Sequence, residues 1–189
     1  MSRFKLIGFV ALITLAFGIA IVTDVLAGEK FKFRAAWSTV KEEALIGPGG
    51  EGRTALVFEN RGILTALGDS NIFDGMTAVD VGFGDLDKRG TGFGHGTVEC
   101  TDRDGDKIYI QWEAEVLNGV WSGPGIIARG TGKFEGLEGK TTHGPCVRVG
   151  PYQVFTSARI YKDCVPFVNR PCERVGPEYV YAVWEGELK

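Results

Sequence analysis

The stretch TDRDGDKIYIQWEAEV, residues 101–116, decides the fold. From residue 108 to residue 116 every second residue is apolar, and the residues between are Tyr, Gln and two Glu. This period of two is typical of a strand with one buried face. The Asp104-Gly105 dipeptide directly before the run is a signal for a tight hairpin turn. The stretch therefore predicts two antiparallel strands joined at residues 102–106.

The rest of the chain repeats this pattern. Apolar residues alternate over residues 31–37, and Asn118-Gly119 is a second hairpin signal. Asn60-Arg61-Gly62 predicts a tight turn between strands 53–59 and 63–67. Further strand candidates are at residues 76–83, 91–101, 126–129, 141–149, 153–161 and 179–184. Strands at this spacing, without a helical stripe, predict one all-β domain that is a closed barrel or a sandwich.

Composition agrees with strands and excludes one class of partner. The 189 residues include 28 glycines, which suit strands joined by tight turns better than helices. Lys and Arg number 21 against 24 Asp and Glu, a formal net charge of −3. Since nucleic-acid binders normally carry a basic excess, we expect no nucleic-acid partner.

The N-terminus has the pattern of an export signal. Arg3 and Lys5 precede an apolar run over residues 6–22, and small or apolar residues end at Ala27. We therefore predict that residues 1–27 are a signal peptide and that residues 28–189 are a single secreted or periplasmic domain. The alternative is a retained anchor, the one way in which the sequence predicts contact with a membrane.

All four cysteines follow the leader. In an oxidising compartment an even number predicts two disulfides. Cys164 and Cys172 are eight positions apart, so this pair should close first, which leaves Cys100 with Cys146. Cys146 could instead pair with Cys164 or Cys172. No C-x2-C pair is present, so structural zinc is the weaker alternative and we predict no metal.

Several other motifs resemble binding sites and fail on detail. Residues 130–141 lack the glycine that a phosphate loop needs five positions before its Gly-Lys-Thr. The acidic residues of the 102–106 turn resemble a calcium loop, but position six is Lys107 rather than glycine. His95 and His143 have no assignable partners, and Ser122 is not in a G-x-S-x-G elbow. The sequence therefore predicts no cofactor and no readable catalytic constellation.

Three segments carry a family resemblance. RGTGKFEGLEGK at residues 129–140 resembles the glycine-rich segment of the allene oxide cyclase and dirigent barrels, which is also similar to segments of secreted bacterial proteins of unknown role. The hairpin over residues 96–109 and the closing residues 181–186 resemble theirs too. The resemblance implies an eight-stranded, antiparallel, lipocalin-like barrel with an apolar cavity, often trimeric. Loop 163–177, which carries Cys164 and Cys172, is foreign to that pattern, and no catalytic residue of the family falls on a matched segment.

Three functions follow as hypotheses. The first is an exported barrel that binds a small apolar ligand or a protein partner, and is not an enzyme. The second is a cofactor-free cyclase or isomerase that acts in the cavity by shaping its substrate. The third is an inhibitor or interaction module that uses loop 163–177. A hollow interior with convergent polar groups would favour the enzyme, whereas a filled interior with an apolar outer patch would favour an interaction protein.

Export gives the first testable prediction. Protein recovered from the medium or periplasm of its native host should have an intact mass that begins at Gly28 or within a few residues of it, because the cleavage-like site ends at Ala27. A full-length, membrane-bound product would contradict cleavage and identify residues 1–27 as an anchor.

Overall fold

The computed structural model describes residues 28–46, 52–69, 71–149, 161–162, 173–174 and 179–189, which form an all-β fold. Eight antiparallel strands close into a barrel, and two very short strands pair with each other apart from it. The strands are β1 (Lys30–Ile46), β2 (Arg53–Ala66), β3 (Thr77–Asp87), β4 (Gly92–Thr101), β5 (Lys107–Leu117), β6 (Val120–Gly130), β7 (Gly139–Val149), β8 (Tyr161–Lys162), β9 (Glu173–Arg174) and β10 (Tyr179–Leu188). The prediction of a single closed antiparallel barrel is confirmed.

The barrel is an up-and-down meander with one interruption. Each strand from β1 to β6 pairs with the strand that follows it in the chain. β7 then pairs with β10, and β10 closes the ring against β1. We call the end where β1 finishes and β2 begins the upper end. Val149 and Tyr179 are paired in register at this end, so the chain between β7 and β10 departs from the upper end and returns to it.

The strand phase predicted from residues 108–116 is correct. Ile108, Ile110, Trp112, Ala114 and Val116 are all buried, and the residues between them face outward. Phe134 and Trp184, apolar residues of the segments that carry the family resemblance, are buried as well. The apolar half of the β5 pattern therefore supplies one wall of the interior, as its period of two requires.

The predicted turn at residues 60–62 is wrong. Arg53–Ala66 is one continuous strand, and Asn60 points into the barrel as a buried residue. Gly62 is needed here for a close approach: a Cβ at this position would lie 2.1 Å from the carbonyl oxygen of Ala36 on β1. The predicted leader at 1–27, strand 153–161 except for its last residue, and most of loop 163–177 lie outside the described residues.

Apolar side chains fill the lower half of the barrel. Phe73, on the connection between β2 and β3, inserts between Phe31 and Phe33 with ring centroids 4.8 and 4.7 Å away. Phe134 and Leu137, on the connection between β6 and β7, are buried in the same core. These two connections act as plugs, so the lower end is closed by packed side chains.

In the described part of the chain no helix is long and apolar enough to cross a membrane.

Glycines on β3 and β4 make room for two indole rings. A Cβ at Gly82 or Gly96 would lie 2.7 or 2.6 Å from Trp112, and one at Gly84 or Gly94 would lie 2.4 or 2.1 Å from Trp121. Distances this short cannot be accommodated by real side chains. The rings of Trp112 and Trp121 therefore rest on bare backbone, which explains glycine at alternate positions in two neighbouring strands.

Gly94→Ala should destabilise the protein by about 1–3 kcal/mol, because the added methyl would overlap Trp121 in a packed interior. Chemical denaturation of the folded domain measures this. Thr97→Val, on the exposed side of the same strand, should change the free energy of unfolding by less than about 0.5 kcal/mol. Trp121→Phe should be non-additive with Gly94→Ala, since it shortens the opposing ring. Simple additivity of the two changes would contradict the glycine-to-indole contact.

Candidate functional site

The upper half of the barrel holds a pocket walled by aromatic rings. All four tryptophans of the chain contribute to it. Its lining residues are Trp37, Thr39, Glu42, Phe58, Asn60, Asp80, Trp112, Trp121, His143, Cys146, Ala182 and Trp184. The cavity volume is about 50 Å³. The empty space between the walls is about 590 Å³ when the part that is open to solvent is included.

Because side chains alternate between the two faces of a strand, these residues point into the barrel at about the same height along its axis. β1, β2, β5, β6 and β10 each supply an aromatic ring, while β3 supplies a carboxyl group and β7 an imidazole and a thiol. β4 supplies only backbone at this level, because Gly94 and Gly96 lie under the indoles of Trp121 and Trp112. The space therefore exists because one strand of the ring contributes no side-chain volume to it.

Asp80 is a buried carboxyl group held by two neutral donors. Trp112 Nε1 donates to its Oδ1 at 2.9 Å, and Asn60 Nδ2 donates to its Oδ2 at 3.1 Å. Burial raises the pKa of Asp80 to about 6, although the hydrogen bonds from Asn60 and Trp112 oppose this rise. The group therefore changes charge close to neutral pH.

His143 has a fixed orientation and tautomer. Its Nε2 lies 3.0 Å from the carbonyl oxygen of Glu113; since a carbonyl only accepts, Nε2 carries the proton. Nδ1 is then an acceptor, and the Cys146 Sγ lies 3.6 Å from it. The ring stacks on Trp184 at 4.7 Å. Burial lowers the pKa of His143, against the opposing effect of the Glu113 hydrogen bond, so burial favours the neutral imidazole.

One donor of the pocket wall lacks an acceptor. Among the described residues, the buried Nε1 of Trp184 has no hydrogen-bond partner. Leaving such a group unsatisfied costs about 1–3 kcal/mol. A water molecule or a ligand oxygen could recover that cost.

The pocket is suited to binding and to proton transfer. Asp80 can act as acid or base near neutral pH, and His143 is held with Nε2 on a backbone carbonyl and Nδ1 facing the Cys146 thiol. Within the described residues, no group of three or more His, Cys, Asp or Glu is placed to hold a metal ion. The described lining residues supply hydrogen-bonding groups, the carboxyl groups of Asp80 and Glu42, and aromatic surface.

The predicted disulfide between Cys100 and Cys146 is wrong. Cys100 is a free, fully buried thiol on β4, and Cys146 lies on β7, with β5 and β6 between the two strands. The number of residues between two cysteines does not indicate how many strands separate them around the barrel. Burial raises the pKa of the Cys100 thiol, and the nearby charges of Asp80 and Glu99 raise it further. Cys164 and Cys172 lie outside the described residues.

The other candidate site residues that the sequence offered lie away from the pocket. Lys133 Nζ contacts Asp102 and lies 2.7 Å from Asp104 Oδ2, so an ammonium group sits where the calcium hypothesis placed a cation. The 130–141 segment plugs the lower end through Phe134 rather than cradling a phosphate. His95 and Ser122 are exposed on the outer side of the barrel. Of the two histidines, only His143 reaches the pocket.

Sequence reasoning missed Asp80 and Asn60. Asp80 stands two positions after Ala78 and two before Gly82, all three of which face inward. A charged residue at the inward phase of an otherwise apolar strand was the available signal, since such residues are rarely buried without a role. Asn60 was missed because Asn60-Arg61-Gly62 is typical of a tight turn and was interpreted as one.

Comparison of the chain with protein families, with curated proteins and with solved structures gives no match.

The raised pKa of Asp80 predicts how stability changes with pH. The folded-state pKa of about 6 lies above the ordinary aspartate value of 3.8, so the stabilising contribution of the protonated form is complete below pH 4 and is lost as the pH rises through 6. Relative to Asp80→Asn, the natural protein should therefore lose roughly 2 kcal/mol of unfolding free energy between pH 4.5 and pH 7.5. Denaturant unfolding of both proteins at the two pH values measures this, and parallel pH profiles would contradict it.

Proposed function

We propose that this protein is an exported barrel that binds a small, largely apolar organic ligand in the upper pocket. One observation carries the proposal: all four tryptophans of the chain, together with Phe58, surround a buried carboxyl group in an otherwise filled barrel. Aromatic walls with a few convergent polar groups are typical of small-molecule sites.

The size and energetics of the pocket limit the proposed ligand to a small molecule. The cavity of about 50 Å³ is well below the roughly 300–1,000 Å³ of pockets that hold drug-sized ligands. Each Å² of apolar ligand surface removed from water contributes about 25 cal/mol. Asp80, Asn60 and His143 would then orient the ligand by its polar groups.

The finer parts of the proposal rest on sequence. The glycine-rich segment 129–140 supports membership of the allene oxide cyclase and dirigent-like barrels, and with it a homo-oligomer such as a trimer. The leader at residues 1–27 supports a secreted or periplasmic location. A short disulfide between Cys164 and Cys172 fits that location.

A cofactor-free cyclase or isomerase is the second candidate, and Asp80 favours it. A carboxyl group with a pKa of about 6 that shares its pocket with an oriented imidazole is suited to moving a proton within a bound substrate. Conversion of a β,γ-cyclohexenone into its conjugated isomer, followed by ultraviolet absorbance, tests this. A rate that Asp80→Asn abolishes would establish the enzyme over the binder. An interaction module built on loop 163–177 remains the third hypothesis.

Tryptophan fluorescence tests the binding proposal, because every indole of the chain lines the pocket. Geraniol, p-cresol and cyclohexanone serve as neutral probes of different shape. We expect a saturable change in emission with at least one of them. Ala182→Leu should weaken that binding by about tenfold or more, since the larger side chain fills a lining position.

Val183→Leu is the matched control, because Val183 adjoins Ala182 on the same strand and is not a lining residue. It should leave the affinity unchanged. Equal loss in the two variants, or saturable binding that survives Ala182→Leu, would place the ligand site elsewhere.

A further inference from the structure

We propose that the ligand of this pocket is a small organic cation, an alkylated ammonium compound whose positive charge lies between the Asp80 carboxylate and the faces of the tryptophans. This inference rests on the proposed function and names the ligand class. Three features of the pocket lead to it.

The first feature is a buried carboxyl group for which the described lining residues supply no cation. Both donors to the Asp80 carboxyl, Asn60 and Trp112, are neutral. Among the described residues that line the pocket there is no lysine or arginine. Buried charges in proteins are normally paired, because an isolated one carries a large desolvation cost. A cationic ligand would supply the missing partner.

The second feature is the aromatic wall around that charge. Trp112 lies with Phe58 and Trp121 at ring-centroid distances of 6.2 Å each, and Phe58 lies 5.8 Å from Trp121. Indole is the strongest of the aromatic side chains in attracting a cation over its face. Rings that line the same pocket as a carboxylate therefore favour a positive charge that carries apolar substituents.

The third feature separates an organic cation from a metal ion. A divalent metal ion needs several oxygen, nitrogen or sulfur ligands, and the described residues contain no group of three or more His, Cys, Asp or Glu placed to provide them. An alkylated ammonium instead buries methyl groups against indole. The unpartnered Trp184 Nε1 offers a hydrogen bond to an oxygen on the same ligand, which an amino alcohol such as choline would carry.

Several titratable groups face the same space as Asp80. Glu42 comes from β1, and His143 and Cys146 come from β7. Cys100 of β4 does not line the pocket, but its thiol is near enough to Asp80 of β3 for that charge to affect it. Burial opposes charge on both His143 and Cys100, since it lowers the pKa of the imidazole and raises that of the thiol. Neither supplies a positive charge that would replace the ligand.

Calorimetric titration with choline and with its neutral isostere, in which carbon replaces the ammonium nitrogen, tests the proposal. At pH 7.5 we expect choline to bind about tenfold or more tightly than the isostere. At pH 5, where Asp80 is about nine-tenths protonated, the affinity for choline should fall by about tenfold while that for the isostere stays constant.

Asp80→Asn should abolish the preference for choline and keep the binding of the isostere, which also shows that the variant is folded. Glu113→Gln is the matched control, because it removes an exposed carboxylate from the outer face of β5 beside Trp112. It should keep the preference.

Equal affinities for choline and the isostere, or a preference that persists in Asp80→Asn, would overturn the cationic ligand and leave the pocket as an apolar binding site. Failure of both compounds would overturn it as well. If geraniol, p-cresol and cyclohexanone also gave no saturable signal, the proposed function would fail with it, so the two failures are distinguishable.

Discussion

A hydrogen bond of 2.9 Å from Trp112 Nε1 to Asp80 Oδ1 crosses the barrel interior from β5 to β3. The strand between them, β4, supplies glycine where a side chain would block the ring. The bond holds the indole flat over the backbone of β3 and β4, and the indole in turn supports Trp121 and Phe58. The pocket wall thus depends on a polar contact that is itself buried, and loss of either partner would leave an unsatisfied group inside the barrel.

The lower half of the barrel interior stabilises the fold, and the upper half holds the polar groups of the pocket. Below the level of Asp80 the interior is packed with apolar side chains such as Phe33, Leu64 and Ile108, which are almost completely buried. Above it, the polar groups Asn60, Asp80 and His143 face one space. The apolar lower half supplies the burial that stabilises the fold. The upper half can therefore carry an unfavourable buried carboxylate, a trade-off that is common at functional sites.

Local pattern was enough to predict the strands, and it was not enough to predict the site. The alternation around Trp112 identified a buried face because a period of two depends only on neighbouring residues. The phase of Asp80 was equally readable, yet its partners come from β2 and β5, and only closure of the ring brings Asn60 and Trp112 to it. The disulfide prediction failed for the same reason, since Cys100 and Cys146 are separated by two strands. The ion pairs of Lys133 with the 102–106 turn likewise join two loops that sequence spacing treats as unrelated.

The position of Gly28 has a consequence for orientation at a cell surface. Its backbone N–H donates to the carbonyl of Leu188 at 2.6 Å, which fixes the beginning of the domain at the lower end, beside the final strand. The pocket lies toward the opposite end. A bilayer that held residues 1–27 would therefore carry the barrel by its plugged base, and the aromatic pocket would face the aqueous phase. A freely diffusing barrel would expose the same end to solvent, so the direction of access to the pocket is the same in both cases.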